Sequence, residues 1–213
     1  MKKFVLVLAA LFLCTASAQA LTATYDWEDG GDVLGTYGAV TASSSSDQAH
    51  SGNLSLKLVD GDSGTPQAFV GWVTGLTDGD TVTASFWVYD TTPGASPSGR
   101  IWGHYTLDDD VDSYKGSASG NYTYSAGTGW SMLEHTWTFD SDSGTRDGLM
   151  IEARTYNQSG VSGQTIYVDD IAVHVDGDNA VIHLPGNAQV PVPGAIILLG
   201  SGMIALAGLR RKN

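Results

Sequence analysis

The chain has 213 residues, a formal charge of −13, a mean hydropathy of −0.05 and one cysteine, Cys14. All 23 acidic residues and five of the ten basic residues fall within residues 21–189, so this segment carries a formal charge of 5 minus 23, or −18. Such a surface repels nucleic acid and anionic lipid, and it repels acidic polysaccharide unless a cation bridges the two. We therefore exclude nucleic acid as a partner, and a single cysteine excludes an intramolecular disulfide.

The first 20 residues are typical of a secretory signal peptide. The basic start MKK is followed by an apolar stretch at 4–14 and by the small-x-small site AQA at 18–20. Cys14 leaves a lipoprotein alternative open, although Leu13 before it is larger than the small residue that such processing usually takes. We predict export, cleavage by signal peptidase and a mature chain that begins at residue 21.

Residues 21–175 alternate between apolar and polar side chains, and Gly, Asp, Ser or Pro interrupts them every eight to twelve residues. The segment contains no convincing amphipathic helix pattern. The alternation predicts about nine strands, at 22–28, 53–59, 67–73, 80–89, 100–107, 121–125, 132–139, 149–155 and 164–175. The fold class is therefore all-β, and we favour a two-sheet antiparallel β-sandwich (jelly roll) over a barrel. Residues 91–99 and 113–120 are predicted to be projecting loops.

Sugar recognition requires aromatic faces bordered by groups that hydrogen-bond hydroxyls. Trp87 and Tyr89 share one face of a predicted strand with polar neighbours, as do Trp102 and His104, and Arg100 lies beside the latter pair. These five residues are the predicted carbohydrate-binding residues. The alternative for each tryptophan is packing in the core, where this residue type is usually found.

A catalytic constellation is not apparent, because the segment has three Glu, no thiol after maturation and scattered His without metal-ligand spacing. We predict no catalytic residues and no enzyme. Glu134 and Glu152 would form the carboxylate pair of a glycosidase only if the fold brought them within several ångströms of each other.

The β pattern fades at 176–189, which we interpret as a spacer, and a different composition follows at 190–213. Val190, Pro191 and Pro193 precede an apolar run at 195–209, which ends in Arg210, Arg211 and Lys212. Fifteen apolar residues fall short of the roughly 20 that a comfortable membrane span needs. Basic residues after the run favour a cytoplasmic C-terminus. We predict a transmembrane sorting helix, with a single-span anchor that is never cut as the alternative.

The sequence VPVPGA at 190–195, the apolar run containing LGSG and the terminal RRK resemble the PEP-CTERM sorting signal of Gram-negative bacteria. The resemblance implies that an exosortase is a partner, and that the inner membrane holds the chain through this helix before processing. It also implies release or transfer to the cell surface or extracellular matrix. Val192 stands where the commonest form of the signal has Glu.

Four pieces in order resemble carbohydrate-binding modules with a galactose-binding-like jelly roll: YDWEDG at 25–30, HSGNLSLKL at 50–58, GDTVTASFWVY at 79–89 and IYVDDIAV at 166–173. In that family a calcium ion often joins the first strand to the last. The resemblance implies a structural Ca²⁺ with Glu28 and Asp169 as ligands and Asp170 as a further candidate. The alternative is that these carboxylates cap strand ends. The acidic run at 108–112 lacks the Gly and closing Glu of an EF-hand loop, which favours a solvated loop.

Taken together, these patterns indicate an exported, non-catalytic protein of the cell surface or extracellular matrix that binds or associates with extracellular polysaccharide. The first alternative is a passive structural surface-coat protein, and the second is a polysaccharide-active enzyme.

Overall fold

The computed structural model describes residues 20–61, 65–94, 97–157 and 161–189. Within these residues there are thirteen strands and no helix. The strands are β1 Leu21–Tyr25, β2 Gly35–Tyr37, β3 Val40–Ser45, β4 Ser55–Asp60, β5 Gln67–Thr74, β6 Thr81–Asp90, β7 Ser98–Thr106, β8 Ser117–Gly120, β9 Gly129–Thr138, β10 Gly148–Tyr156, β11 Thr165–Asp176, β12 Val181–Leu184 and β13 Asn187–Gln189.

The strands form two antiparallel sheets. Sheet I has the order β3-β4-β11-β6-β9, and sheet II has the order β13-β12-β5-β10-β7-β8. Two short strands pair with the remaining halves of interior strands. β1 pairs with the second half of β11, next to β4, and β2 pairs with the first half of β5, next to β12. The predicted two-sheet antiparallel sandwich is thereby confirmed for the described residues.

Strand β6 shows how the alternating sequence builds the sandwich. Val82, Ala84, Phe86 and Val88 are fully buried in the core between the sheets, while Trp87 and its neighbours of the same parity face outward. Successive side chains of a strand point to opposite sides of the sheet, so one apolar parity is enough to define the inner face. The same alternation places Ile101 of β7 and Ile151 of β10 in the core.

A bulge interrupts β11 at the point where its neighbour on one side changes from β4 to β1. Strand β4 pairs with residues 165–168 of β11, and β1 pairs with residues 171–175. Between them the register shifts, and Asp170 adopts a left-handed φ of 49°. A bulge of this kind re-aims side chains, and here it directs two consecutive carboxylates to the same turn.

Four segments differ from the expectations. Residues 35–45, for which no strand was predicted, contain β2 and β3. Residues 113–120, expected to be a loop, contain β8, and residues 121–125, expected to be a strand, lie outside any strand. The interpreted spacer at 176–189 contains β12 and β13, and β12 pairs with β5. Short runs rich in Ser, Ala and Gly have little strand propensity of their own, and β8 forms because β7 offers it an edge.

The signal peptide and the sorting signal, including Val190, Pro191, Pro193, Arg210, Arg211 and Lys212, lie outside the described residues, except for Ala20. Within the described residues the structure has no helix that is long and apolar enough to cross a membrane.

Candidate functional site

The outer face of sheet II carries a polar cluster at its centre. Strands β7 and β10 are neighbours, and their register sets Trp102 opposite Glu152 and Arg100 opposite Arg154. The intervening residues Ile101 and Ala153 lie in the core, so the polar side chains all lie on the outer face. Three of the five predicted sugar-binding residues, namely Arg100, Trp102 and His104, are therefore brought together here.

Glu152 links the side chains of His104 and Arg154. One of its carboxylate oxygens lies 2.5 Å from Nδ1 of His104, and the other accepts a hydrogen bond of 2.7 Å from Nε of Arg154. Glu152 is only 1% exposed, and a buried carboxylate is stable only when partners satisfy it. Because an ionised carboxylate only accepts hydrogen bonds, Nδ1 of His104 is the donor. We call these three side chains the buried cluster.

Aromatic rings hold the cationic side chains of this face. The guanidinium carbon of Arg154 lies 4.6 Å from the centroid of the Trp102 ring. Arg100 packs between two tyrosines, at 3.7 Å from the Tyr124 ring and 4.9 Å from the Tyr156 ring. Trp102 and His104 are buried, so neither ring offers the open stacking face expected of it. Instead, Trp102 packs against Arg154, and His104 is hydrogen-bonded to Glu152.

A cleft of about 520 Å³ opens beside the buried cluster. Its lining residues are Thr36, Tyr37, Gln67, Phe69, His104, Val111, Asp112, Tyr114 and Arg154. Two tyrosines at its border, Tyr37 and Tyr114, are 65% and 66% exposed. A cleft with exposed aromatic rings, one amide and one guanidinium has the composition that a polyhydroxylated ligand requires.

Sequence reasoning missed Tyr37, Gln67, Tyr114, Glu152 and Arg154 as members of this site. The alternation along β10 signals that Glu152 and Arg154 share an outward face, since the apolar residues Ile151 and Ala153 alternate with them. Nothing local shows that this face adjoins β5 and β7, or that Tyr37 of β2 and Tyr114 of the segment between β7 and β8 border it.

The remaining predicted sugar-binding residues lie on the opposite side of the molecule. Trp87 and Tyr89 belong to β6 and face outward from sheet I. The five predicted residues are thus divided between two outer faces. The same division separates Glu134, which is exposed on sheet I, from Glu152 on sheet II, so the two do not form the carboxylate pair of a glycosidase.

The predicted calcium ligands contact one turn, residues 50–54. Glu28 accepts hydrogen bonds from the backbone N–H groups of Leu54 (2.6 Å) and Asn53 (2.7 Å), which lower its pKa. Asp169 accepts bonds from the N–H groups of His50 (2.8 Å) and Ser51 (3.2 Å). Burial raises the pKa of Asp169 despite these bonds.

Asp170 completes the arrangement. Its two carboxylate oxygens lie 2.6 Å from Nδ1 of His50 and 2.6 Å from Oγ of Ser51. The turn thus joins the segment after β1 to the bulge of β11 through hydrogen bonds. Among the described residues there is no group of three or more His, Cys, Asp or Glu that could hold a metal ion, and Ca²⁺ requires six to eight oxygens. A calcium ion at this turn would therefore need backbone or solvent oxygens beside these carboxylates, and calcium binding here stays a prediction.

Two solved structures have an architecture similar to that of this chain. The CBM22-1 xylan-binding domain of Paenibacillus barcinonensis Xyn10C matches with a TM-score of 0.51 at 13% identity, over 76% of this chain and 97% of that domain. The CBM22-2 xylan-binding domain of Xyn10C matches with a TM-score of 0.51 at 22% identity, over 71% and 97%. The chain shares their fold. Neither a family model nor a curated protein matches the sequence.

Proposed function

We propose that this protein is a non-catalytic polysaccharide-binding protein that holds a sugar chain in the cleft of sheet II. The observation that carries the proposal is the cleft itself, where exposed Tyr37 and Tyr114 border a floor that presents Arg154 and His104. The similarity in fold to two xylan-binding domains supports the same reading.

In this proposal the tyrosine rings stack on the C–H faces of pyranose rings, and Gln67 and Arg154 hydrogen-bond the hydroxyl groups. Glu152 uses one oxygen on Nε of Arg154, which fixes the orientation of the guanidinium before the sugar arrives. A fixed side chain loses little conformational entropy on binding, which favours affinity.

The ligand of the cleft is uncharged in this proposal. The charge of Arg154 is offset by Glu152 at 2.7 Å, and the surrounding domain carries a large excess of carboxylates. An acidic polysaccharide would therefore meet net repulsion. Xylan, the ligand in the names of the two similar domains, is the first polysaccharide to test.

The direct experiment is affinity electrophoresis of the protein through gels containing xylan or the exopolysaccharide of the host, with calcium or with a chelator. Tyr114→Ala and Arg154→Ala should abolish retardation, while Tyr122→Ala should retain it. Tyr122 is a matched control, because it is 68% exposed and lies outside the cleft lining. If all three variants were retarded as strongly as the wild type, the cleft would not be the polysaccharide-binding site. If the wild type itself were not retarded, a passive coat protein would be favoured. Release of reducing ends from the polysaccharide would refute the absence of catalysis.

We propose, on the sequence patterns, that the protein is exported from a Gram-negative cell and held in the inner membrane by its C-terminal helix. An exosortase then cleaves the chain and delivers it to the cell surface or extracellular matrix. Intact mass measurement of the protein from its host tests this sequence of events. A mass that lacks residues 1–20 and the helix after Pro193 is expected, and a mass that includes the helix would establish an uncut anchor.

A further inference from the structure

The outer face of sheet I carries a second group of aromatic residues, well away from the cleft. Tyr89 of β6 pairs with Trp130 of β9 and with Tyr167 of β11, and Trp87 pairs with Met132. The ring centroids of Tyr89 and Trp130 are 5.5 Å apart, and those of Tyr89 and Tyr167 are 6.1 Å apart. We call these five residues the platform.

Core packing does not account for the platform. The residues of opposite parity on the same strands, Phe86, Val88 and Leu133, already fill the core beneath it. The four platform rings are half-buried, and Met132 is 54% exposed. The outer face therefore keeps apolar surface exposed to water, from four aromatic residues and one methionine, and this surface is not buried on folding.

The turn at 50–54 holds the platform in place. The His50 ring stacks on Trp87 with centroids 4.0 Å apart, and it meets Trp130 edge-on at 5.4 Å. His50 is itself held through Nδ1 by Asp170 and through its backbone N–H by Asp169. The rings are therefore fixed before any ligand binds, which reduces the entropy lost on binding.

The charges around the platform indicate the kind of occupant. Nζ of Lys57 lies 2.7 Å from Asp47, which also accepts a bond from the Tyr167 hydroxyl, so the nearest lysine is already paired. The net charge of −18 on residues 21–189 repels nucleic acid, acidic polymers and a second copy of this chain. An uncharged occupant meets no such repulsion.

The rest of the face favours a polyhydroxylated occupant over an apolar one. Beyond the rings the outward positions of β6 and β9 include the hydroxyl side chains Ser85, Thr83 and Thr136, together with one carboxylate, Glu134, opposite Ser85. Of the exposed large hydrophobic residues in the described part of the chain, only Met132 lies on this face, which is little for a lipid surface or a protein interface. Aromatic rings continued by hydroxyl rows suit a sugar chain that lies along the strands.

We infer that the platform is a second binding site for neutral polysaccharide. Because the platform and the cleft lie on opposite outer faces of the sandwich, one protein molecule binds two separate chains and cross-links them. Cross-linking rests on the proposed function, because it requires a sugar chain in the cleft as well. Binding at the platform does not depend on the cleft. Simultaneous engagement of two sites also raises retention in a polysaccharide network without any new contact.

Calorimetric titration of the purified protein with xylohexaose, together with the viscosity and precipitation of soluble xylan, tests the inference. We expect two binding sites in the wild type, and one in each of Trp130→Ala and Met132→Glu. Met132→Glu changes an exposed side chain, so it places a charge on the platform without removing a packed ring. Thr138→Ala, at an exposed position of the same strand and face, is the matched control and should keep both sites.

The two proposals fail in different ways. Xylan cross-linking should be lost in the platform variants and in Tyr114→Ala, while each of these variants still binds xylohexaose at one site. A wild-type stoichiometry of one that Tyr114→Ala abolishes would overturn the platform and leave the cleft. A stoichiometry of one that Met132→Glu abolishes would support the platform and overturn the cleft. Two sites that persist in both platform variants would also overturn the inference.

Discussion

Replacing Glu152 with alanine tests whether the buried cluster holds the cleft together. The substitution removes a hydrogen bond to His104 and one to Arg154, each of which involves a charged group. Hydrogen bonds to charged groups are worth about 1.5–3 kcal/mol, and removing one partner from a buried ion pair costs about 3–5 kcal/mol. Water reaches Arg154 in part, since its side chain is 16% exposed. We therefore expect a loss of about 3 kcal/mol in the free energy of unfolding.

Urea denaturation monitored by tryptophan fluorescence measures this loss. For a domain of this size, 3 kcal/mol corresponds to a melting temperature lower by about 6–12 °C. Glu134→Ala removes a carboxylate that is exposed on the opposite face, and it should change the free energy by no more than about 0.5 kcal/mol. Glu152→Gln keeps the shape of the side chain but removes its charge. Its loss in the free energy of unfolding should lie between those of Glu152→Ala and Glu134→Ala, and its retardation by xylan should weaken. A loss below about 1 kcal/mol for Glu152→Ala would refute the argument that Glu152 sustains its two neighbours.

Three further predictions follow from particular contacts. Backbone N–H groups of Leu54 and Asn53 hold the pKa of Glu28 below 4.5 in the folded state, so its contribution to stability is present above about pH 4.5 and is lost as the pH falls through the folded pKa. Denaturation between about pH 3 and about pH 6 should therefore show a shallower pH dependence for Glu28→Gln than for the wild type, and parallel curves would contradict this. A Cβ on Gly120 would lie 2.3 Å from the carbonyl oxygen of Ile101 and 2.6 Å from Cα of Trp102. Gly120→Ala should therefore lower the free energy of unfolding by about 1–3 kcal/mol, and an unchanged free energy would show that β8 can move away from β7. Addition of Ca²⁺ to chelator-treated protein should raise the melting temperature, and Asp170→Asn should remove that rise; a wild-type melting temperature that calcium leaves unchanged would end the calcium prediction.

The alternating sequence was sufficient to predict the fold class, because the apolar and polar positions within each strand show which side chains face the core. On β6 the predicted inner residues are all buried, and Trp87 and Tyr89 do face outward. The period of two is a local property of extended backbone, so no knowledge of neighbouring strands is needed to see it.

Weak strands escaped this reasoning because they form only against a partner. Gly120 of β8 lies against the backbone of β7, and β12 pairs with β5 after a segment that has no clear alternation. In both cases the hydrogen bonds come from an edge that already exists elsewhere in the chain, and the sequence of the short strand itself carries little signal.

The site divides in the same way between local and long-range information. The sequence by itself determined the all-β class, the strongly acidic surface and the outward parity of Arg100, Trp102 and His104, since composition and period are local properties. Only the tertiary structure decided that β6 and β7 belong to different sheets, and that β10 brings Glu152 and Arg154 beside β7. Strand order follows from how two whole sheets bury their inner faces against each other, which no single strand specifies.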